Sequence, residues 1–210
     1  MYIDKKHVAR LLIHASIRNI FIGECPVANH VTAMSGRQVL HEYADAHGIA
    51  LTHDMRTYLK DKSLLREFES LWKTRYNFFK HADRDYDEEV NIRNISFLNE
   101  METLFNLQKY QQMFGEMTGH MKVFMCFLAV MHPDKMKIEL DEVRSRLSEV
   151  LKKTTGMSRR DIYEVFSYGL TTEPQTKAEI AEARELSFID PVPYSDEERD
   201  TIELRRKTKA

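Results

Sequence analysis

Arg75 and His81 are the pair in this sequence best suited to chemistry, with five residues between them and Asn77 among the five. A guanidinium offers a planar fork of donors to phosphate or carboxylate charge. An imidazole moves protons near neutral pH. Together these residue types suit holding a phosphate or carboxylate and moving a proton beside it. Lys73 precedes the pair and Lys80 lies within it, and both add positive charge for a polyanion.

One amphipathic helix has to position them. Leu64, Leu65, Phe68, Leu71, Trp72, Tyr76 and Phe79 recur at helical spacing, so a helix is expected over Ser63 to Lys80 with one face buried. Arg75 lies seven positions after Phe68 and four before Phe79, which places it beside the apolar face. Two readings follow for Arg75: a stem lying on the core with its head in water, or a guanidinium aimed at an anion. His81 falls at the helix end, beside Asp83, Asp85, Asp87, Glu88 and Glu89. The helix dipole and these carboxylates both favour imidazolium, whether the ring transfers protons or caps a free carbonyl. On a continuous helix the two side chains stand roughly 120° apart, so they converge where the helix ends before His81.

The segment RYNFFKHAD resembles the RN-x-x-KH-type segment of the HEPN superfamily, and Arg75-x5-His81 fits its R-x(4–6)-H signature. HVARLLIHASIRNIF and VLHEYADAHG resemble the first two helices of that group, so the likeness in topology runs from about Tyr2 to Met131. Tyr76 stands where the polar residue after the arginine is usual, and Asn77 comes one position later. The resemblance implies a helical bundle that binds or cleaves RNA without metal, often at a homodimer interface. It implies catalytic roles for Arg75 and His81, with the RNA 2′-hydroxyl as nucleophile. Asn77, Lys73 and Lys80 would then bind the substrate.

Composition narrows the remaining classes. The chain has 210 residues, 42% hydrophobic and 30% charged, enough for one sizeable core. Glycine (7) and proline (5) are scarce, which favours long helices over a turn-rich β fold. A net charge of −2 gives no global basic field, so nucleic acid would need a local patch. Cys25 and Cys126 form no C-x-x-C pair and read as reduced thiols. The N-terminus lacks a signal-peptide core, and the longest apolar run, Val123 to Met131, is too short for a bilayer. A cytoplasmic protein with no membrane partner is expected. His14, His41 and His81 invite a metal, but no motif such as H-E-x-x-H accompanies them, and neither metal nor cofactor is expected. The D-x-D-x-D from Asp83 lacks the glycine and glutamate of a calcium loop, having Glu88 and Asn94 there.

The fold class expected is all-α: a bundle over 1–131, a helical extension over 132–170 packed on it, and a charged, proline-containing, partly ordered tail over 171–210. The first helix should follow Asp4, with a stripe of Val8, Leu11, Leu12 and Ala15. The second should end at Gly48 and bury Ala33, Gly36, Leu40, Tyr43 and Ala44, with His30 and Met34 on a polar flank. Phe97, Leu98, Met101, Leu104 and Phe105 should be buried in a later helix, and Met121 to Met131 should be central. Ser158 and Asp161 start a further helix in capping-box fashion, with Ile162, Val165 and Phe166 inward and Gly169 as terminator. LKKTTGMSRRDIYEVF resembles a helix-turn-helix, so the alternative function is a non-catalytic interaction or DNA-binding protein using Ser158, Arg159 and Arg160.

Overall fold

A computed structural model describes residues 3–22, 25–52, 62–80, 89–132 and 141–186. It is all-α: among the described residues there are eight helices and no strand. They are α1 (Lys5–Ile22), α2 (Pro26–Ala46), α3 (Lys62–Lys80), α4 (Ile95–Phe114), α5 (Gly119–Met131), α6 (Asp141–Thr154), α7 (Arg159–Thr172) and α8 (Pro174–Glu185). The chain divides into two compact units, Met1–Glu179 and Ile180–Ala210, with the boundary inside α8. His81 and most of the acidic loop from Asp83 lie outside the described residues, as do most of the short helix that the sequence suggests from Thr52 to about Lys60 and the extended stretch that it suggests from Phe188 to Tyr194. No described helix is long and apolar enough to cross a membrane.

Local signals fix several helix ends. The Asp4 carboxylate accepts the His7 N–H at 2.7 Å and caps α1. Cys25 caps α2 and Pro26 occupies its first turn, where a missing N–H costs nothing. At the other end Gly48 takes φ +64°, and the Ile49 N–H reaches the Ala44 carbonyl at 2.9 Å, closing a Schellman turn. Ser158 and Asp161 exchange side-chain and backbone bonds in a complete capping box at the start of α7.

The core is built on α1, α4, α5 and α7. Phe21, Phe124, Phe127, Tyr163 and Phe166 pack edge-to-face and offset, with ring centroids 5.0 Å apart for both Phe21–Phe127 and Phe127–Tyr163. Leu40, Leu107, Tyr110, Met121 and Leu128 complete it. The region expected as an extension therefore shares the main core, and the packed unit continues through the start of the expected tail to Glu179.

Five sequence expectations are corrected by packing. The α1 face turns by one position, burying Ala9, Ile13, His14, Ser16, Ile17 and Ile20 while Val8, Leu11, Leu12 and Ala15 are half-buried, because α1 is enclosed by several helices. His30 and Met34 belong to the buried face of α2. In α4 Phe97 is exposed, whereas Asn99, Glu100, Glu102, Thr103, Asn106 and Lys109 are buried. Val165 faces outward, and α7 continues past Gly169 to Thr172 before Pro174 opens α8.

The polar residues of α4 are buried because other helices satisfy them. Asn106 donates to the Ala33 carbonyl at 2.7 Å, and Ser16 bonds both Asn29 and Thr103 at 2.8 and 2.7 Å. Gly36 permits this closeness, since a Cβ there would lie 3.3 Å from Asn106 Nδ2. Gly119 has a similar role: a Cβ would sit 3.0 Å from side-chain atoms of Gln175 and Thr176, so α8 approaches the start of α5 only over a glycine.

Candidate functional site

The C-terminal half of α3 has two faces. Trp72 and Arg75 are buried, Tyr76, Phe78 and Phe79 are half-buried, and Lys73, Asn77 and Lys80 are exposed. Positions 73, 77 and 80 share one side of a helix, and position 75 is roughly 140–160° away from them. Arg75 Nη2 donates to the Arg93 carbonyl at 3.3 Å, which joins α3 to the segment before α4. Lys80 Nζ lies 5.3 Å from the centroid of the Tyr76 ring. The exposed stripe begins at Arg66, so Arg66, Lys73 and Lys80 recur every seven residues, and no acid occurs between Ser70 and Lys80. The fold thus brings Lys73, Asn77 and Lys80 together and turns Arg75 from them; His81 lies outside the described residues.

Behind α3 the His30 ring is edge-on to Phe79 at 5.9 Å and bonds Asn99 Oδ1 through Nδ1 at 2.9 Å. Burial holds His30 below the usual imidazole range, against the opposing pull of the Asn99 and Trp72 carbonyl bonds. Asn99 lines a cavity of about 330 Å³ with Asn19, Asn29, Glu100, Arg159 and Tyr163. Glu100 Oε1 accepts from Arg159 Nη2 at 2.7 Å and from the Tyr163 hydroxyl. Arg159 is thus fixed to a buried carboxylate, while Arg160 lies in an exposed pair with Glu164 at 3.3 Å and Ser158 is spent on the cap.

A second constellation joins residues far apart in the chain. Among the described residues, His14 of α1, His120 of α5 and Glu179 of α8 form the group with metal-ligand chemistry, their ligating atoms all within 4.8 Å of one another. Glu179 closes the start of α5, accepting the Gly119 and His120 N–H groups at 2.8 and 3.1 Å, where the helix dipole favours an anion. Its Oε2 lies 2.5 Å from His120 Nδ1 and 3.8 Å from His14 Nε2. The His14 and His120 rings stack, centroids 4.3 Å apart and 11° from parallel. Thr118, the N-cap of α5, places its hydroxyl 2.8 Å from His14 Nε2.

Arg18 settles the proton positions in this group. Its Nη1 lies 3.3 Å from His120 Nε2, and a guanidinium can only donate. His120 Nε2 is therefore the bare nitrogen, and Nδ1 carries the proton donated to an ionised Glu179. Burial pushes the Glu179 carboxyl upward, but its bonds to His120 and the two backbone N–H groups outweigh this and bring it to about 2. Burial, then the neighbouring His120, push His14 down to about 3 against the pull of Glu179. Neutral imidazole nitrogens and a carboxylate are ligand types for zinc and similar divalent ions.

Sequence reasoning reached His14 but paired it with His41 and His81. His120 and Glu179 carried no signal at short range, because their partners lie 106 and 59 positions away, as 120 minus 14 and 179 minus 120. Comparison with protein-family models, curated proteins and solved structures found no match.

Proposed function

We propose that this chain is an RNA-binding helical protein whose contact surface is the exposed face of α3. One observation carries this reading: Arg66, Lys73, Asn77 and Lys80 line a single exposed side, free of acids from Ser70 onward. Cations a heptad apart on a helix are spaced by about 10 Å, a span that tracks successive backbone phosphates rather than one anion. Asn77 adds a neutral donor for phosphate or sugar. Binding is favoured over cleavage because Arg75, the group that would stabilise a developing phosphorane charge, points away from Asn77 and is engaged by the Arg93 carbonyl. A cleaving version would draw on His81 and a second copy of the chain, as the HEPN resemblance implies.

Fluorescence anisotropy with a labelled single-stranded RNA pool, from 50 to 200 mM salt, tests the reading. Lys73→Ala plus Lys80→Ala should weaken binding for all sequences and flatten the log–log salt slope by about 1.4, or about 0.7 per lost phosphate contact. If the wild type binds no RNA at low salt, or the double variant keeps the full slope, the reading fails. Cleavage of the same RNA in chelator, abolished by His81→Ala, would restore the catalytic version.

A further inference from the structure

We propose that His14, His120 and Glu179 form a site for one divalent transition-metal ion of the zinc type, and that Arg18 competes with the metal for His120. Three helices contribute one ligand each, and all three side chains are buried. Tetrahedral zinc, with bonds of about 2.0–2.2 Å, sets its ligand atoms roughly 3.3–3.5 Å apart. The two distances to Glu179 Oε2, 2.5 Å from His120 and 3.8 Å from His14, straddle that value. A metal seated among them opens the first and closes the second, and the two stacked rings must turn out of parallel so that both lone pairs meet it. The Thr118 hydroxyl beside His14, or a water, completes the shell.

Entry of the metal carries a proton requirement. His120 binds through Nδ1, so the proton there must leave, and Nε2 takes one up in exchange, conserving the charge of the ring. The new Nε2–H then faces the Arg18 guanidinium, two donors opposed at 3.3 Å. Metal-bound histidines normally donate that second N–H to an acceptor. Arg18 is half-buried and must turn away for the metal to bind. Arg18 and the Gly119 and His120 N–H groups already balance the Glu179 charge. Binding would link Glu179 to α1 and α5, a structural or regulatory linkage, since the His120 side chain is wholly buried.

The test uses the tag-free full chain, stripped with chelator and titrated with Co²⁺ under visible absorption, then with Zn²⁺ in competition. The expected result is one Co²⁺ per chain with the intense bands of tetrahedral coordination, displaced by Zn²⁺. His14→Gln and Glu179→Gln should each lose the bands, with far-UV circular dichroism confirming the fold. Arg18→Gln replaces the competing donor with an acceptor for Nε2–H, and should tighten Zn²⁺ binding at least tenfold. Arg18 contributes no ligand, so this variant separates a metal site from a hydrogen-bond network. Absence of tetrahedral Co²⁺ bands in both the wild type and Arg18→Gln overturns the proposal. So do bands that persist in folded His14→Gln, which would place the metal elsewhere, and an Arg18→Gln affinity at or below the wild type.

Discussion

Arg159→Ala should destabilise this protein, whereas Arg160→Ala should not. The Glu100 side chain is 1% exposed, and its charge is balanced by Arg159 Nη2 at 2.7 Å with the Tyr163 hydroxyl on the same oxygen. Its second oxygen, Oε2, is buried without a hydrogen-bond partner, so the carboxylate has little in reserve. Removing one end of a fully buried ion pair costs about 3–5 kcal/mol, and an exposed pair is worth about 0–1 kcal/mol. Arg159 has a 51% exposed side chain and Tyr163 stays in place, so a loss of about 2 kcal/mol is expected, between those limits. In a Glu100→Gln background no buried charge is left stranded, and Arg159→Ala should then cost about 0.5 kcal/mol or less, a coupling of about 1.5 kcal/mol. Arg160 and Glu164 are 87% and 67% exposed, and their pair should change stability by no more than about 0.5 kcal/mol. Urea unfolding followed by circular dichroism, with m-values compared across the set, gives all four numbers. A coupling below about 0.5 kcal/mol, or equal costs at Arg159 and Arg160, refutes the reasoning. The same comparison bears on DNA binding, because a helix-turn-helix would use both arginines alike and here one of them holds the fold.

Two further outcomes follow from the α3 region. Arg75→Ala should lower stability by about 1–3 kcal/mol, through its buried stem and the bond to the Arg93 carbonyl, while Asn77→Ala stays within about 0.5 kcal/mol; equal thermal shifts would remove the two-faced description of α3. His30 binds its proton less readily in the folded chain than in the unfolded one, so the unfolded state takes up more protons as pH falls through about 6.5, and stability drops there and continues to drop toward the folded pKa. His30→Gln should flatten that part of the pH profile between pH 7 and 5, and wild-type and variant curves that run parallel would exclude it.

What was legible in the sequence was local. The Asp4 and Ser158 caps, the Gly48 terminus and the apolar α5 each depend on residues within a turn or two, and steric and hydrogen-bonding rules act at that range. The α3 helix was legible for the same reason, since its apolar positions repeat over its whole length. The polar core of α4 was not. A periodicity reading assigns Asn99, Glu100, Glu102 and Asn106 to solvent, whereas each is buried by a partner supplied from elsewhere: Asn106 by a carbonyl 73 positions away, Asn99 by a histidine 69 away, Glu102 by an arginine 65 away and Glu100 by an arginine 59 away. Polarity alone cannot say which polar side chains will find such partners.

The metal-ligand cluster is the extreme case. His14 and Glu179 stand near opposite ends of the packed unit's sequence, and His120 lies in a helix whose apolar residues dominate its pattern. A trace does exist in retrospect. Thr118-Gly119-His120 combines a helix cap, a residue without a side chain and an ionisable ring at a point where α8 crosses within contact distance. A glycine at the first helical position is poor for helix propensity and unnecessary for a turn already closed by Gly115. Its presence there signals a close crossing, and a buried crossing over free N–H groups calls for an acceptor. Glu179 is that acceptor, supplied by a stretch whose composition marks it as part of a charged, partly ordered tail.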